Sequence, residues 1–333
     1  MLGSIDIAQK RLCFTINKNI LYICKVKSQH HYREMYNDYI IADSLLRISG
    51  PISDLATLGL HSFTPFKAET AFAQDAMLEI TTGYDIELDG VEAEILTEFD
   101  FAEGEAVCRF MRSDEEYIFT LSNDKSEAHV FRCRRDDCSR VKTNVGVVEA
   151  NISFMRFGIW FMFNLWSVQR GVGAVHSSVI VHNGEAVMFL GESGTGKSTH
   201  TRLWRETIAG AELLNDDSPF VRVHDGQLYA YGSPWSGKTA CYKNESYPVR
   251  GVVRLSQAPY NAIKRLPGIR AIGALLPSLP PAFAFDGQAE DAIMATLSQI
   301  ITHTKVYHLE CLPDAAAARF SYETVYEAGE VVK

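Results

Sequence analysis

The chain has 333 residues, of which 47% are hydrophobic and 22% are charged, and this composition is typical of folded globular proteins. At this length two hydrophobic cores are favoured over one. The 32 basic and 41 acidic residues give a formal net charge of −9, which excludes a general positive field for nucleic acid or for an anionic membrane. We therefore expect any anion to bind at a local site, with no nucleic-acid or membrane partner.

Seven cysteines are an odd number and are sparsely spread along the chain, which does not suit a disulfide framework. Cys133 and Cys138 lack a second Cys or His pair at zinc spacing, so no zinc site is expected. The amino terminus has no basic segment followed by an apolar run. Together these features predict reduced thiols and a cytoplasmic location.

Residues 1–150 are expected to form a β-rich accessory domain, or one that binds a substrate or partner. Short apolar runs alternate with polar turns there, and Asp89-Gly90 between two of them is a strong hairpin signal. The predicted strands are Arg11–Ile16, Ile20–Val26, Tyr84–Leu88, Val91–Leu96, Ala106–Met111, Tyr117–Leu121 and His129–Arg134.

Residues 151–333 are expected to form a second domain of mixed α/β type with a mixed sheet. It opens with the apolar segment Ile152–Val168, which contains Arg156 and is short for a membrane span, so a buried helix is predicted. Asn183-Gly184 predicts a tight hairpin between two strands. The other predicted elements are strands at Ala174–Val181, Ala186–Leu190, Ala211–Leu214 and Val249–Leu255, and helices at Lys197–Ala209, Gln288–Thr304 and Asp314–Phe320.

A phosphate-binding loop follows the second strand of that hairpin. The residues Gly191-Glu192-Ser193-Gly194-Thr195-Gly196-Lys197-Ser198 match the pattern G-x-x-x-x-G-K-[ST] without a mismatch. Glycines let backbone N–H groups surround phosphate oxygens, and the following helix, which begins with Ser198 and Thr199, directs its positive end at them. Lys197 is expected to reach the β- and γ-phosphates of ATP, and Ser198 to bind Mg²⁺.

Two adjacent carboxylates, Asp216 and Asp217, follow the next apolar run. This is where a neighbouring strand would bring an acidic group to the phosphates. Two carboxylates allow a division of roles, because one can hold Mg²⁺ or its water while the other accepts a proton from an attacking hydroxyl. The alternative is an acidic turn before Ser218-Pro219.

The stretch from His176 to Asp217, with its histidine, glycine loop and paired aspartates, resembles HPr kinase/phosphorylase and its relatives in the phosphoenolpyruvate carboxykinase-like superfamily. The resemblance implies that Asp216 is the catalytic base, that Asp217 serves Mg²⁺, and that His176 contacts the catalytic aspartate or the reacting phosphate. The carboxy-terminal signature by which HPr kinases recognise their protein partner is not found, so the resemblance does not imply HPr as the acceptor.

The segment Gly232–Lys238 is rich in glycine and ends in a lysine. One interpretation is a loop that closes over the γ-phosphate, with Lys238 neutralising charge in the transition state. The other is a surface turn whose Trp235 packs on the core.

Three functions are compatible with these motifs. The first is an ATP- and Mg²⁺-dependent kinase that acts on a hydroxyl of a protein, a peptide or a small molecule. The second is a carboxykinase, which shares the loop but needs further basic residues for its acid substrate. The third is a non-catalytic module that senses nucleotide. The intact Lys197, Asp216 and Asp217 favour the kinase.

Overall fold

The computed structural model describes residues 35–69, 77–101, 104–124, 126–237 and 239–327. These residues form a mixed α/β fold built on two mixed β-sheets. They divide into two compact units. Apart from the gaps just given, the first comprises 35–38, 47–59 and 78–159, and the second comprises 39–46, 60–77 and 160–327.

The first sheet has eight strands in the order β1-β2-β3-β8-β7-β6-β5-β4. Strands β3 and β8 run parallel, whereas the pairs from β8 through β4 are antiparallel. The strands are β1 (Tyr36–Ile41), β2 (Ser44–Ser49), β3 (Met77–Thr81), β4 (Glu94–Phe101), β5 (Ala106–Arg112), β6 (Glu116–Asn123), β7 (Ser126–Arg134) and β8 (Arg140–Thr143).

The three predicted strands from Ala106 to Arg134 are confirmed as β5, β6 and β7. The predicted strand Tyr84–Leu88 is wrong. Gly83 N and Tyr84 N donate to the carbonyls of Val145 and Thr143, so this segment does not pair across the Asp89-Gly90 turn, and β4 pairs with β5 instead. The two predicted strands before residue 27 lie outside the described residues.

The second sheet has nine strands. Seven follow the order β12-β10-β11-β15-β14-β13-β9, β17 pairs with β15, and β16 pairs with β17. The pairs β11–β15 and β15–β17 are parallel and the others are antiparallel. The strands are β9 (Val172–Ala174), β10 (Ser177–His182), β11 (Glu185–Leu190), β12 (Glu212–Asp217), β13 (Phe220–His224), β14 (Gln227–Tyr231), β15 (Ser246–Gln257), β16 (Ala262–Arg265) and β17 (Lys305–Cys311).

Strand direction brings several strand ends to one edge of this sheet. Strands β11, β15 and β17 are parallel, and β12 runs in the same direction because β10 is antiparallel to both β11 and β12. The carboxyl ends of these four strands therefore share an edge, where open α/β sheets commonly bind ligands. The amino end of β10 lies at the same edge.

The described part of the chain contains five α-helices of at least seven residues, and shorter 3₁₀ turns at His61–Phe66, Leu276–Ser278 and Pro281–Phe285. The helices are α1 (Ile152–Val168), α2 (Lys197–Thr207), α3 (Ile269–Leu275), α4 (Gly287–His303) and α5 (Ala315–Glu327). Within the described chain, none of them has both the length and the hydropathy that a membrane crossing requires.

Helices α2 and α5 pack on strands β10, β11, β15 and β17 through a shared apolar core. Trp204 of α2 is fully buried, and its Nε1 donates to Ser321 Oγ of α5 at 2.8 Å. The core side chains include Ile180, Val187, Phe189, Leu203, Trp204, Val253, Leu309 and Val325. This packing fixes where α2 starts relative to the sheet, and hence the position of the loop before it.

Most elements predicted after residue 150 are confirmed. Helix α1 has the predicted bounds, and helices α2 and α4 lie within one or two residues of theirs. Helix α5 begins where expected, with Asp314 Oδ1 accepting from Ala317 N at 2.8 Å, but it continues past Phe320. The predicted strand Ala174–Val181 is wrong as a single element, because the chain leaves the sheet at Val175 and His176 between β9 and β10.

Candidate functional site

The glycine loop connects β11 to α2 at the edge where the four strands end. Gly194 and Gly196 have φ angles of +80° and +106°, a region that side-chain-bearing residues rarely adopt. Thr195 closes the turn, since its N and Oγ1 both donate to Glu192 O, at 3.1 and 2.7 Å. The loop geometry therefore depends on glycine at these positions of the motif.

Lys197 reaches back over the loop from the first residue of α2. Its Nζ donates to Gly191 O at 2.7 Å and to Glu192 O at 3.3 Å. Burial lowers the pKa of Lys197, whereas the negative charges of Asp217 and Asp216 act in the opposite direction. The ammonium thus lies within electrostatic range of both carboxylates, and the three predicted groups converge.

Asp216 and Asp217 end β12, but they have different environments. Asp216 is only 5% exposed, and its Oδ1 accepts from Ser178 Oγ at 2.7 Å. Its Oδ2 is buried and has no hydrogen-bond partner among the described residues. The Asp217 side chain is 46% exposed. One carboxylate is therefore enclosed and the other faces solvent.

A series of short contacts links Asp216 to helix α2. The Oγ of Ser178, which donates to Asp216, lies 3.1 Å from Thr201 Oγ1, and Thr201 Oγ1 in turn donates to Ser198 O at 3.2 Å. Ser178 and Thr201 are both buried. The enclosed carboxylate is thus connected to the helix turn that carries Ser198.

His176 lies just before β10 and not within a strand as predicted. Its backbone N donates to Ser278 O at 2.7 Å, and its Nε2 lies 3.6 Å from Asp217 Oδ1. Burial and then the charge of Lys197 lower the pKa of His176, and Asp217 acts in the opposite direction. The histidine therefore neighbours the exposed carboxylate, while Asp216 is held by Ser178.

The loop after β14 is anchored beside the paired aspartates. Trp235 is 3% exposed and packs edge-on or tilted against the rings of Phe63, Phe163 and Phe220. Its Gly237 N donates to Asp216 O at 3.3 Å.

The interpretation of the whole segment as a surface turn is wrong for Gly232–Ser236, which are buried, although Trp235 does pack in the core. Lys238 lies outside the described residues, so its part in closure stays a prediction.

Sequence reasoning missed Arg254, which pairs with Leu190 in the parallel register of β11 and β15. Its guanidinium donates to Ala274 O at 3.1 Å and to Glu192 Oε1 at 3.3 Å. An arginine inside the apolar run Val249–Leu255 could have marked this position as a candidate. That it lies near the loop, however, depends on the pairing of β15 with β11 and cannot be read from the run itself.

A cavity of about 530 Å³ adjoins the loop, and it too was not predicted. Its walls come from Gly194–Gly196, from the first turn of α2, and from the carboxyl ends of β15 and β17 with the residues that follow them. No local sequence pattern indicates it.

A divalent cation would have to use few protein ligands here. Among the described residues, no group of three or more His, Cys, Asp or Glu side chains could hold a metal ion. Mg²⁺ in nucleotide sites typically takes one or two carboxylates together with substrate phosphates. The buried and unpartnered Asp216 Oδ2, close to the turn that carries Ser198, fits such a partial ligand set.

No protein-family model matches the chain, and no match is found among curated proteins.

Proposed function

We propose that the protein is an ATP- and Mg²⁺-dependent kinase that transfers the γ-phosphoryl group to a hydroxyl of a protein, a peptide or a small molecule. The observation that carries the proposal is the convergence of Lys197, Asp216 and Asp217 at one sheet edge, where the loop ends and α2 begins. A phosphate loop alone would support binding only. A second strand that brings two carboxylates beside this loop also supports transfer of the phosphoryl group.

The loop and Lys197 would bind the phosphates. Lys197 now donates to the carbonyls of Gly191 and Glu192, so its ammonium is already held over the loop. Backbone N–H groups at the start of α2 and the positive end of the helix favour anionic oxygens. Bound Mg²⁺ would neutralise charge on the phosphates, and Ser198 with one of the two aspartates would hold it.

The environments of the two carboxylates favour assigning their roles differently from the family resemblance. An acceptor hydroxyl arrives from solvent, and Asp217 is the exposed carboxylate, with His176 3.6 Å away. Asp216 is enclosed and linked to the turn of Ser198. We therefore assign proton acceptance to Asp217 and the metal to Asp216, whereas the resemblance implies the reverse.

The direct experiment incubates the full chain with γ-labelled ATP and Mg²⁺ in the presence of free serine or a serine-containing peptide library. We expect label on a hydroxyl, identified by mass spectrometry. Decarboxylation of a keto acid supplied in a parallel reaction, with no label on a hydroxyl, would establish a carboxykinase, and ATP binding without turnover in every reaction would establish a nucleotide sensor. Either result would refute the kinase proposal.

Variants assign the roles in the same assay. Lys197→Ala should weaken ATP binding and abolish transfer. Asp217→Asn should lower transfer by about 100-fold or more at saturating Mg²⁺, as expected for loss of a general base. Asp216→Asn should instead raise the Mg²⁺ concentration that is needed for phosphoryl transfer. The matched control is Asp225→Asn in the exposed β13–β14 turn, where the positive φ of +49° is acceptable to asparagine.

If excess Mg²⁺ rescues Asp217→Asn and not Asp216→Asn, the roles follow the resemblance. If both variants transfer at the rate of the unaltered chain, the paired carboxylates are not catalytic and the proposal fails.

A further inference from the structure

The cavity beside the loop is large enough to hold a small molecule or a part of one. Its volume of about 530 Å³ lies within the range of small-molecule sites. It is lined on one side by Gly194 and Gly196, the glycines with positive φ, and by Thr199 of α2. A ligand whose phosphates occupied the loop would therefore lie directly beside this cavity.

The other lining residues of the cavity suit a flat ring with a polar edge. Leu255, Leu312 and Pro313 supply apolar surface, and Gln257 supplies the amide. The Gln257 Nε2 donates to Gly194 O at 3.3 Å, so this side chain spans from the cavity wall to the loop. Apolar walls with a few placed polar groups are typical of sites for heteroaromatic ligands.

The paired carboxylates do not line the cavity. Among the described residues that line the cavity, His176, Asp216 and Asp217 are absent, whereas Lys197 lies within electrostatic range of the last two. A nucleotide lying along the loop would thus point its terminal phosphate at the carboxylates and its base at the cavity.

We propose that this cavity binds the purine base and ribose of the nucleotide, with Leu255, Leu312 and Pro313 against the ring and Gln257 at its polar edge. The inference rests on the proposed function, because it requires that the loop binds nucleotide phosphates. It adds the base-binding residues, and it separates the nucleotide entrance from the side on which the acceptor arrives.

Filling the cavity tests the inference. Leu312 is partly exposed, so Leu312→Trp should fold while its indole occupies the space of the base. The matched control is Met294→Trp, at another partly exposed apolar residue of the same unit that does not line the cavity. Calorimetry measures binding of Mg-ATP and of Mg-tripolyphosphate, which carries the phosphates without a base.

We expect Leu312→Trp to weaken Mg-ATP binding by about tenfold or more, with tripolyphosphate changed by less than about twofold. Unchanged ATP affinity in Leu312→Trp would overturn this inference and leave the kinase proposal standing. Equal weakening of both ligands would also overturn it, because the indole would then be acting on the loop. If the unaltered chain binds neither ligand, the proposed function itself fails.

A second measurement uses the unaltered chain. Cys311 lines the cavity and is a partly exposed residue. ATP should slow alkylation of Cys311 by N-ethylmaleimide by about tenfold, as expected when a ligand covers a reactive group at saturation, while tripolyphosphate should not. Cys241 is also partly exposed, does not line the cavity and serves as the internal reference. An unchanged labelling rate at Cys311 with saturating ATP would overturn the inference.

Discussion

Asp216 and Asp217 are neighbours in sequence, yet the strand gives them different environments. Successive side chains of a strand point to opposite faces, so one carboxylate is enclosed with Ser178 and the other is half exposed near His176. The sequence predicts that two carboxylates reach the phosphates. The different burial of the two carboxylates, on which their proposed roles rest, depends on what packs against each face of the strand.

The buried His200 gives the stability of the protein a defined pH dependence. Its Nε2 lies 3.1 Å from Ser321 Oγ, and burial lowers its pKa from 6.5 to about 4, against an opposing effect of Asp314. Between these two values the unfolded chain takes up a proton that the folded protein does not. The free energy of unfolding should therefore fall by about 2 kcal/mol from pH 7 to pH 5 through this group.

Urea denaturation at both pH values measures the effect, with His200→Gln as the comparison, since glutamine retains hydrogen-bonding capacity toward Ser321 and does not titrate. The decrease between pH 7 and pH 5 should be smaller in the variant by that amount. Equal decreases in the two proteins would show that His200 does not carry the dependence.

Arg254 is a further candidate for phosphate binding at the residue scale. Its ion pair with Glu192 is weak, because the Glu192 side chain is 79% exposed. A bound phosphate can replace that carboxylate as the partner of the guanidinium. Arg254→Gln should therefore weaken Mg-ATP binding by about tenfold. Glu192→Gln should strengthen it, since a negative charge near the phosphates is removed.

Calorimetry on both variants checks this prediction, with thermal unfolding as the control for the contact with Ala274 O. Arg254→Gln with normal ATP affinity and a lower melting temperature would identify Arg254 as a structural residue only.

At the scale of elements, the turns and caps were the most predictable features. The hairpin between β10 and β11 has Asn183 and Gly184 at φ angles of +52° and +77°, as Asn-Gly predicts. The break at His176 was not predictable in the same way. Its backbone N bonds to Ser278 O, about a hundred residues further along, and this contact takes the place of a strand hydrogen bond.

Helix α1 contains Gly158, where packing requires a glycine although glycine has a low helix propensity. A Cβ on Gly158 would clash with the ring of Phe131, which is fully buried. Gly158→Ala should therefore lower the free energy of unfolding by about 1–3 kcal/mol through overpacking. In an open helix position the same change would raise it by about 1 kcal/mol.

Gly273→Ala in α3 is the matched control, because a Cβ there meets no atom of the described chain within 4 Å beyond its own neighbours. Urea denaturation of both variants decides the point. A higher free energy of unfolding in Gly158→Ala would contradict the prediction, because it would mean that Phe131 and α1 move apart without loss of stability.

At the scale of the whole molecule, strand order produces the site. Four strands from distant parts of the chain end at one edge, and these ends carry the glycine loop, the paired aspartates, Gln257 and Cys311. Parallel neighbours require crossover connections, so their order cannot be read from any local segment.

The sequence alone determined the glycine loop between β11 and α2, the Asn-Gly hairpin and the extent of α1, because these depend on the backbone freedom of glycine and on the spacing of apolar side chains within a single segment. The tertiary structure decided the burial of Asp216, the placement of His176 beside Asp217, the approach of Arg254 to Glu192, and the cavity. Each of these depends on which strands pair and which helices cover them, and that is a property of contacts between residues far apart in the chain.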